Sequence, residues 1–371
     1  MSSSSSLVKR QRVVPGIRKE MTGGGSKVWS EITELARLPT IIADLGQGYP
    51  DFNGNAAARA TAAGVIQNDS RLNQYSLVNG LPALRQSIAT FYAQAYPKAD
   101  KLDSNTQIVI TSSGTEALFA AITALVEEGD EVITVLPSFP WYSPNVRMAR
   151  GVLKHVTLDF PDFKLTEAKL REQFSSRTKL VVINSPHNPT GHVLSQQEAE
   201  VVAKLCVEYD CFCLSDEVYE QYVFNQTTHQ HVRMCDMPGM RDRTLTVGSA
   251  SKMFSLTGWR VGWLHGPEDL IAASKTVHSF GSYCAPTPLQ DGVRAAFDHA
   301  TQHKLVTSEH NALFQRNASR LADALATLNV TSSLPEGGYF LVCDVTNTGK
   351  TDVEFCHFLA KERGVVAVPM L

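Results

Sequence analysis

Between residues 107 and 247, short apolar segments rich in β-branched residues alternate with segments of helical periodicity. The predicted strands are residues 107–111, 131–135, 153–157, 180–184, 212–215 and 244–247, and the clearest predicted helices are residues 117–126 and 196–208. Several strands are apolar at every position, so both faces of their sheet should be buried. This alternation predicts an α/β fold with a mostly parallel central sheet, in which ligands bind at the carboxyl ends of the strands.

The composition is typical of a soluble globular protein that is large enough for two domains. The chain has 371 residues, of which 43% are hydrophobic and 19% are charged, with a formal net charge of -3. This charge balance predicts neither a nucleic-acid partner nor a membrane partner, and no apolar run reaches the length of a transmembrane helix. The seven cysteines lack zinc-ligand spacing, which predicts reduced thiols in a reducing compartment.

The first 19 residues contain five serines and five basic residues but no acidic residue. Such a segment is typical either of a mitochondrial transit peptide or of a solvated tail. Pro15 and Gly16 would interrupt an amphipathic helix early, which favours the tail. We therefore expect a disordered leader at residues 1–12 and a cytoplasmic protein, with a mitochondrial location as the alternative.

Four polar motifs follow predicted strands of the sheet. Thr111-Ser-Ser-Gly-Thr-Glu-Ala117 joins a strand to a helix, and the free amides at a helix start favour an anion such as phosphate, although Ser113 or Thr115 could simply cap the helix. Pro137-Ser-Phe-Pro-Trp-Tyr142 places aromatic rings in a loop. Asn184-Ser-Pro-His-Asn-Pro-Thr-Gly191 predicts a rigid turn with projecting amides, and Ser215-Asp-Glu-Val-Tyr219 brings two carboxylates to the sheet edge.

The last predicted strand, residues 244–247, leads into a lysine motif, Val247-Gly-Ser-Ala-Ser-Lys-Met-Phe254, with Gly258-Trp-Arg260 behind it. A lysine that loses hydration beside apolar residues has a lowered pKa and can attack an aldehyde, whereas most lysines are solvated surface residues. Neighbouring hydroxyls and the Arg260 guanidinium could hold a phosphate. These features make Lys252 a candidate nucleophile.

The N-terminal part predicts a helix through Leu38 and a strand at residues 41–45 that ends in Gly46-Gln-Gly-Tyr-Pro50. Two glycines there allow the backbone to approach a ligand closely, or they simply form a turn. A loop that contains Tyr75 then leads into a helix at about Leu81. From its local pattern alone, Tyr75 is an amphipathic surface residue.

Taken together, these motifs resemble those of the class I and II aminotransferases of the pyridoxal phosphate (PLP) fold type I group. Asn-Pro-Thr-Gly, Asp-Glu-Val-Tyr, Ser-Ala-Ser-Lys and Gly-Trp-Arg occur in the matching order, and the likeness extends from about Val13 to the last residue. The chain is most similar to the kynurenine, glutamine and methionine transaminase branch. Competing α/β motifs, such as a Walker-type phosphate loop or a Gly-x-Ser-x-Gly nucleophile turn, do not occur.

The resemblance implies a role for each matching residue. Lys252 would bind PLP covalently and, once released, carry a proton between the substrate α-carbon and the cofactor. Asp216 would pair with the ring nitrogen of PLP. The remaining implied contacts are Tyr219 and Asn188 to the phenolic oxygen of the ring, Phe139 stacked on its face, and Gly114, Thr115, Ser249 and Arg260 at the phosphate. Tyr75 from a partner subunit would also bind the phosphate, which implies a homodimer with shared sites. Gly48, Trp29, Asn188 and the partner's Tyr283 resemble substrate-binding positions.

Two departures from the family pattern bear on the substrate. Relatives that act on aspartate or glutamate bind the side-chain carboxylate with an arginine, yet no arginine occurs from Val261 to Val293, a segment that instead offers His278, Tyr283 and Cys284. This predicts neutral, aromatic or sulfur-containing amino donors. Relatives also continue beyond the position of Leu371 with a strand, a helix and an arginine that binds the substrate α-carboxylate. On this comparison we expect an incomplete small domain and weakened turnover.

The predicted architecture is a large PLP-binding α/β domain at residues 46–286. The small domain would combine the N-terminal segment, residues 13–45, with residues 287–371. The predicted function is transfer of an amino group from an L-amino acid to a 2-oxo acid. Two alternatives stay open at this point: a cysteine-S-conjugate β-lyase, because the same carbanion can expel a leaving group, and a PLP-binding protein with little turnover.

Overall fold

A computed structural model describes residues 25–51, 53–305 and 310–370. The predicted leader at residues 1–12 and the start of the predicted likeness at Val13 lie outside these residues. The strands are β1 Ala43–Asp44, β2 Ile108–Thr111, β3 Glu131–Leu136, β4 Val152–Thr157, β5 Thr178–Asn184, β6 Phe212–Asp216, β7 Thr244–Ser249, β8 Gly262–His265, β9 Thr331–Ser332, β10 Cys343–Asp344 and β11 Val365–Val366.

The helices are α1 Gly25–Leu35, α2 Ala56–Asn68, α3 Pro82–Ala95, α4 Gly114–Leu125, α5 Tyr142–Met148, α6 Glu167–Arg171, α7 Gln196–Glu208, α8 Ala250–Met253, α9 Glu268–Gly281, α10 Thr287–Gln302, α11 Asn311–Ala326 and α12 Asp352–Phe358. Short 3₁₀ helices occur at Met234–Asp236, Arg241–Arg243, Thr257–Trp259 and Thr346–Thr348, and a π-helical turn occurs at Leu359–Arg363.

The centre of the fold is a seven-stranded sheet with the order β2-β8-β7-β6-β5-β3-β4. Its strands are parallel except for β8, which pairs antiparallel with both β2 and β7. The mostly parallel α/β fold predicted from the alternating segments is therefore confirmed. The carboxyl ends of β2, β3, β5, β6 and β7 all lie at one edge of this sheet, which is the edge that carries the predicted motifs.

Apolar clusters cover both faces of the sheet. On one face, helix α4 packs with α5 and α9 against strand residues such as Val109, Leu214 and Val247. On the other face, α7 covers β5 and β6, while α2, α3 and α10 enclose Ile110 and Trp263. This double coverage explains why the strands are apolar at nearly every position.

Smaller elements surround this core. β1 pairs in parallel with β11, and the apolar side chains of Ile32, Leu35, Cys356 and Val366 form a separate cluster there. The domain boundaries at residues 45 and 286 stay predictions. Helix α10, which follows the second boundary, packs against α2 and α3 of the predicted large domain.

All seven cysteines are free thiols, and Cys206, Cys211, Cys213 and Cys356 are buried. Across residues 25–51, 53–305 and 310–370, no helix has the length and apolar character needed to cross a membrane.

Candidate active site

Lys252 lies in α8, immediately beyond the carboxyl end of β7. Its amine donates hydrogen bonds to the Gly48 carbonyl at 2.7 Å and to the Tyr339 hydroxyl at 2.8 Å. The rings of Tyr219 and Tyr339 lie 5.6 and 5.4 Å from the amine. Burial lowers the pKa of Lys252 to about 8, with the positive charge of Arg260 acting in the same direction and Asp216 acting against it. The structure thus places a readily deprotonated amine at the predicted edge.

Asp216 is the last residue of β6 and is only 3% exposed. The Tyr142 hydroxyl donates to Asp216 Oδ2 at 2.7 Å, and the Val218 amide makes a longer contact of 3.4 Å with Oδ1. Burial raises the pKa of Asp216 to about 6, although the Tyr142 hydrogen bond opposes this shift. A buried carboxylate with so few donors favours a proton or a cationic partner.

The predicted turn 184–191 lies beside the end of β6. The Asn184 side chain donates to the Asp216 carbonyl at 2.8 Å, and the Asn188 amide donates to Asn184 Oδ1 at 2.7 Å. Tyr219, which is buried, follows Asp216 on the other side and meets the ring of Tyr339 edge to face. The structure therefore brings Asp216, Asn188 and Tyr219 into one region.

Helix α4 begins at the carboxyl end of β2, and its cap, Ser113, has a φ of 99°. A β-carbon built on Gly114 would lie 3.5 Å from the β-carbon of Ser249, so the start of α4 and the end of β7 are adjacent. A β-carbon on Gly262 would lie 2.4 Å from the Gly114 nitrogen, so only glycine allows β8 to pass this close. The first-turn amides of α4 are left without helical partners, as at every helix start.

Two further donors lie in the segment that joins β7 to β8. The Ser251 hydroxyl is buried and has no hydrogen-bond partner among the described residues, although its amide donates to Ser249 Oγ at 3.2 Å. Arg260 adopts the left-handed conformation and donates to the Thr257 carbonyl at 2.9 Å. Together with the amides of Gly114 and Thr115, these groups form a donor set suited to a phosphate.

Phe139 lies in the loop after β3. Its ring stacks on Trp141 with a centroid distance of 4.9 Å, and its edge meets Tyr142 at 5.7 Å. Phe139 is therefore next to the tyrosine that donates to Asp216.

Tyr75 and Tyr283 lie on the surface, unlike Lys252 and Asp216. Their exposed fractions are 83% and 47%, and their rings meet edge to face at 5.4 Å. The structure therefore brings Tyr75 and Tyr283 into contact on the surface. Trp29 belongs to α1, but its side chain lies outside the part of the chain that the structure describes.

His278, one of the residues that the segment from Val261 to Val293 offers in place of an arginine, lies in the interior, with a side-chain exposure of 0%. Its Nδ1 is 2.8 Å from Glu116 Oε1, and its Nε2 donates to the Val78 carbonyl at 3.1 Å. Burial alone would raise the pKa of Glu116, but hydrogen bonds from His278 and Ser282 lower it. His278 therefore connects the first turn of α4 to the loop that carries Tyr75.

Three tyrosines at the site were not predicted from the sequence. Tyr142 binds Asp216, Tyr339 binds the Lys252 amine, and the Tyr222 hydroxyl donates to the Lys252 carbonyl at 2.8 Å. Tyr142 belongs to the aromatic motif after β3, which was a usable signal. Tyr339 follows the paired glycines Gly337 and Gly338, which indicate a close approach of backbone but not to which element.

Comparison with known proteins agrees with this geometry. A family model described as "Aminotransferase class I and II" matches residues 40–370. Kynurenine--oxoglutarate transaminase 3 of Rattus norvegicus is 35% identical, over 95% of this chain and 82% of its own length. A probable N-succinyldiaminopimelate aminotransferase of Mycobacterium tuberculosis is 37% identical, over 92% of this chain and 85% of its own length.

Solved structures show the same fold. Escherichia coli YbdL, identified with a methionine aminotransferase function, has a TM-score of 0.87 and 32% identity, covering 95% of this chain and 90% of its own. Thermus thermophilus aspartate aminotransferase with maleate has a TM-score of 0.87 and 27% identity, covering 96% of this chain and 92% of its own. The chain therefore belongs to the class I and II aminotransferases, PLP-dependent enzymes that transfer an amino group from an amino acid to a 2-oxo acid.

Proposed function

We propose that this aminotransferase uses Lys252 and Asp216 to hold and activate PLP, and that it takes amino groups from neutral, aromatic or sulfur-containing L-amino acids. The observation that carries this proposal is the convergence of two unusual groups at one sheet edge. The Lys252 amine has a pKa lowered to about 8, and Asp216 is a buried carboxylate with a pKa raised to about 6. A surface lysine and a solvated aspartate would keep their ordinary pKa values, and shifted pKa values that occur together are typical of functional sites.

The residues at this edge fit PLP. The Asp216 carboxylate accepts only one short and one long hydrogen bond, so it can accept another from a protonated ring nitrogen. That nitrogen would supply the cationic partner that the buried carboxylate otherwise lacks. The phosphate would be held by the amides of Gly114 and Thr115, the hydroxyl of Ser249 and the guanidinium of Arg260. The partnerless hydroxyl of Ser251 offers a further donor that the sequence did not predict.

Each nearby side chain then has a defined task. When bound, PLP supplies an electron sink for the substrate α-carbon. Lys252 would bind the cofactor and, after release, would carry a proton from the substrate α-carbon to the cofactor. Taking up that proton requires the neutral amine that burial favours. Tyr219 and Asn188 would donate to the phenolic oxygen of the ring, and Phe139 would cover its face. Asp216 would hold a proton on the ring nitrogen of bound PLP.

The donor class is supported by the surroundings of the Lys252 amine. The aromatic rings of Tyr219, Tyr339 and Phe340 lie together beside Gly48, and such a surface favours apolar and aromatic substrate groups. The relatives named for kynurenine and methionine act on side chains of this type. Both ring nitrogens of His278 are engaged by Glu116 and Val78, so neither is available to bind a substrate carboxylate.

The proposal includes a homodimer with shared active sites. The side chains of Tyr75 and Tyr283 are exposed and contact each other, and neither belongs to the hydrophobic core of its own subunit. In the proposed dimer, Tyr75 binds the cofactor phosphate of the partner subunit, and Tyr283 contacts its substrate. Exposed aromatic residues that lie together are typical of such interfaces.

Borohydride reduction of the holoprotein, followed by peptide mapping, tests the central assignment. The pyridoxyl label is expected on Lys252, because its amine is the buried one with a lowered pKa. A label on any other lysine would overturn the assignment of the site.

A further inference from the structure

The segment at residues 335–340 is held firmly against the site. The amides of Glu336 and Gly337 both donate to the Gly191 carbonyl at 2.9 Å, and the Gly338 amide donates to the Tyr222 carbonyl at 2.8 Å. A β-carbon on Gly337 would lie 2.4 Å from the Tyr222 oxygen, so the segment fits between the turn 184–191 and Tyr222 only with glycine at this position. Its backbone position is therefore fixed by the cofactor-binding side of the molecule.

An ion cluster anchors the same segment. Glu336 Oε2 lies 2.9 Å from His192 Nδ1 and also accepts from the Val193 amide at 2.8 Å. The other ring nitrogen of His192 contacts Glu198, which forms the capping box of α7 with Ser195, at 3.0 Å. Glu336, three residues before Tyr339, is thus connected through His192 to α7 and, through the Val193 amide, to the chain just after the turn 184–191.

This anchoring places the Tyr339 hydroxyl between two polar atoms of the site. The hydroxyl donates to the Gly48 carbonyl at 2.7 Å, so its lone pairs remain available to accept from the Lys252 amine at 2.8 Å. The amine also donates directly to the Gly48 carbonyl, which closes a triangle of three polar groups. Burial raises the pKa of Tyr339, so the hydroxyl keeps the proton that it shares with Gly48.

We propose that Tyr339 is a positioning residue for the transamination reaction, and that its hydroxyl and the Gly48 carbonyl together form the rest position of the Lys252 amine whenever that amine is not joined to the cofactor. The inference rests on the proposed assignment of Lys252. A released lysine side chain has four rotatable bonds, so without a rest position its amine would spend little time near the substrate α-carbon. Tyr339 restricts that freedom and keeps the proton carrier within the site.

The test compares the wild type with Tyr339→Phe, which removes one hydroxyl and keeps the ring that packs on Tyr219 and Phe340. In the cofactor-free protein, the rate at which an amine-reactive acylating reagent modifies Lys252 is measured against pH by peptide mass spectrometry. The Tyr339 hydroxyl accepts a hydrogen bond from the Lys252 amine and so favours its charged form. Loss of this hydroxyl should lower the pKa of Lys252, and the midpoint of the modification profile should move to lower pH in the variant. In the holoenzyme, kcat should fall by about 10-fold or more, with the KM of the amino donor little changed.

Tyr209→Phe is the matched control. Tyr209 caps the end of α7 near the amino end of β6, on the opposite edge of the sheet, and its ring packs on Phe174. This variant should leave the Lys252 profile and kcat unchanged. Thermal unfolding of both variants should occur close to the wild-type temperature, since neither substitution removes packed carbon.

The outcomes separate the two assignments. Borohydride reduction is repeated on the Tyr339→Phe holoprotein. A label on Lys252, together with an unshifted modification profile and a kcat within twofold of wild type, would overturn the role of Tyr339 alone. A label on a different lysine would overturn the assignment of Lys252 and this inference with it. A shifted profile and a reduced kcat, both absent from Tyr209→Phe, would support the rest position.

Discussion

At Asp216 the protein buries a carboxylate at the end of a strand and surrounds it with few donors. Its pKa is raised to about 6 in the folded protein, against an ordinary value of 3.8. The folded state therefore binds a proton more tightly than the unfolded state between these values. As the pH rises from 3.8 to 6, stability is lost, and above pH 6 the full penalty of about 3 kcal/mol applies. The cofactor would relieve this penalty by supplying a cationic partner.

Asp216→Asn should separate these two effects. At pH 7 the cofactor-free variant should be more stable than wild type, whereas at pH 4 the two should be similar, because the wild-type carboxyl is then protonated. The holoenzyme should fold and bind PLP but lose roughly 3 orders of magnitude in kcat, since a neutral amide cannot stabilise the protonated ring. Urea unfolding at both pH values and steady-state kinetics measure these quantities. Near-normal transamination would remove Asp216 from its proposed role.

Local motifs identified the residues that carry chemistry at the strand ends, but not the residues that support them. Lys252 and Asp216 follow apolar strands directly, so their position at the sheet edge could be predicted from the sequence. Their hydroxyl partners could not, because Tyr142 is 74 residues from Asp216 and Tyr339 is 87 residues from Lys252. The interior position of His278 depends on Glu116, which is 162 residues away. The hydrophobic periodicity of a sequence predicts local elements, but it does not predict contacts between residues that are this far apart along the chain.

Among the secondary-structure elements, those with strong local signals were predicted best. Helix α7 has the predicted bounds because Ser195 and Glu198 form a complete capping box. Helix α4 begins at Gly114 rather than Ala117, because Ser113 caps it earlier than apolar periodicity alone indicates. The strand predicted at residues 41–45 is reduced to Ala43–Asp44, since its partner β11 offers only two paired residues.

The ion cluster of His192, Glu198 and Glu336 connects one such element, α7, to the segment that carries Tyr339. Burial alone would lower the pKa of His192, but its hydrogen bonds to the two carboxylates raise it to about 9. A histidine whose folded pKa is raised adds stability that is complete below pH 6.5 and is lost as the pH rises through about 9. The size of this contribution is on the order of 3 kcal/mol.

Glu336→Gln should therefore weaken the protein in a pH-dependent way. Loss of one carboxylate lowers the His192 pKa, so the variant should lose about 1–3 kcal/mol of stability near pH 6.5 and less at pH 9.5, where the wild-type histidine is neutral. Chemical denaturation across this range measures the difference. Glu200→Gln, on an exposed position of the same helix, is the control and should show no such trend. A loss of stability that is the same at every pH would contradict the charged state of His192.

At the scale of the whole molecule, the alternation of strands and helices predicted the architecture but not the direction of β8. β7 and β8 are joined by α8 and a short 3₁₀ turn rather than a full crossover helix, so β8 returns antiparallel beside β7. Nor did the sequence indicate that α10 packs with α2 and α3, because an amphipathic face does not specify its partner. The location of residues at the ends of parallel strands could be predicted from the sequence, whereas the surface against which each helix packs could not.

The proposed shared sites can be tested by complementation between subunits. Tyr75→Phe subunits keep their lysine, and Lys252→Ala subunits keep their tyrosine, so a mixed dimer contains one site with both groups intact. Random mixing should restore about one quarter of the wild-type activity if half of the dimers are mixed. Mass spectrometry under native conditions verifies that mixed dimers form. Mixed dimers with no more activity than the separate variants would show that Tyr75 does not serve the neighbouring site.

The contact between Glu116 and His278 has a further consequence for the proposed dimer. The Glu116 carboxylate supports both the helix start at a subunit's own proposed phosphate site and the loop that this subunit would contribute to its neighbour in the proposed dimer. In a cell with one normal and one altered gene copy, a subunit lacking Lys252 would leave its normal partner's site intact. A subunit lacking Glu116 would disturb its own site and its partner's alike. In such mixed dimers, one of the two sites should stay active after the loss of Lys252, whereas both sites should be impaired after the loss of Glu116.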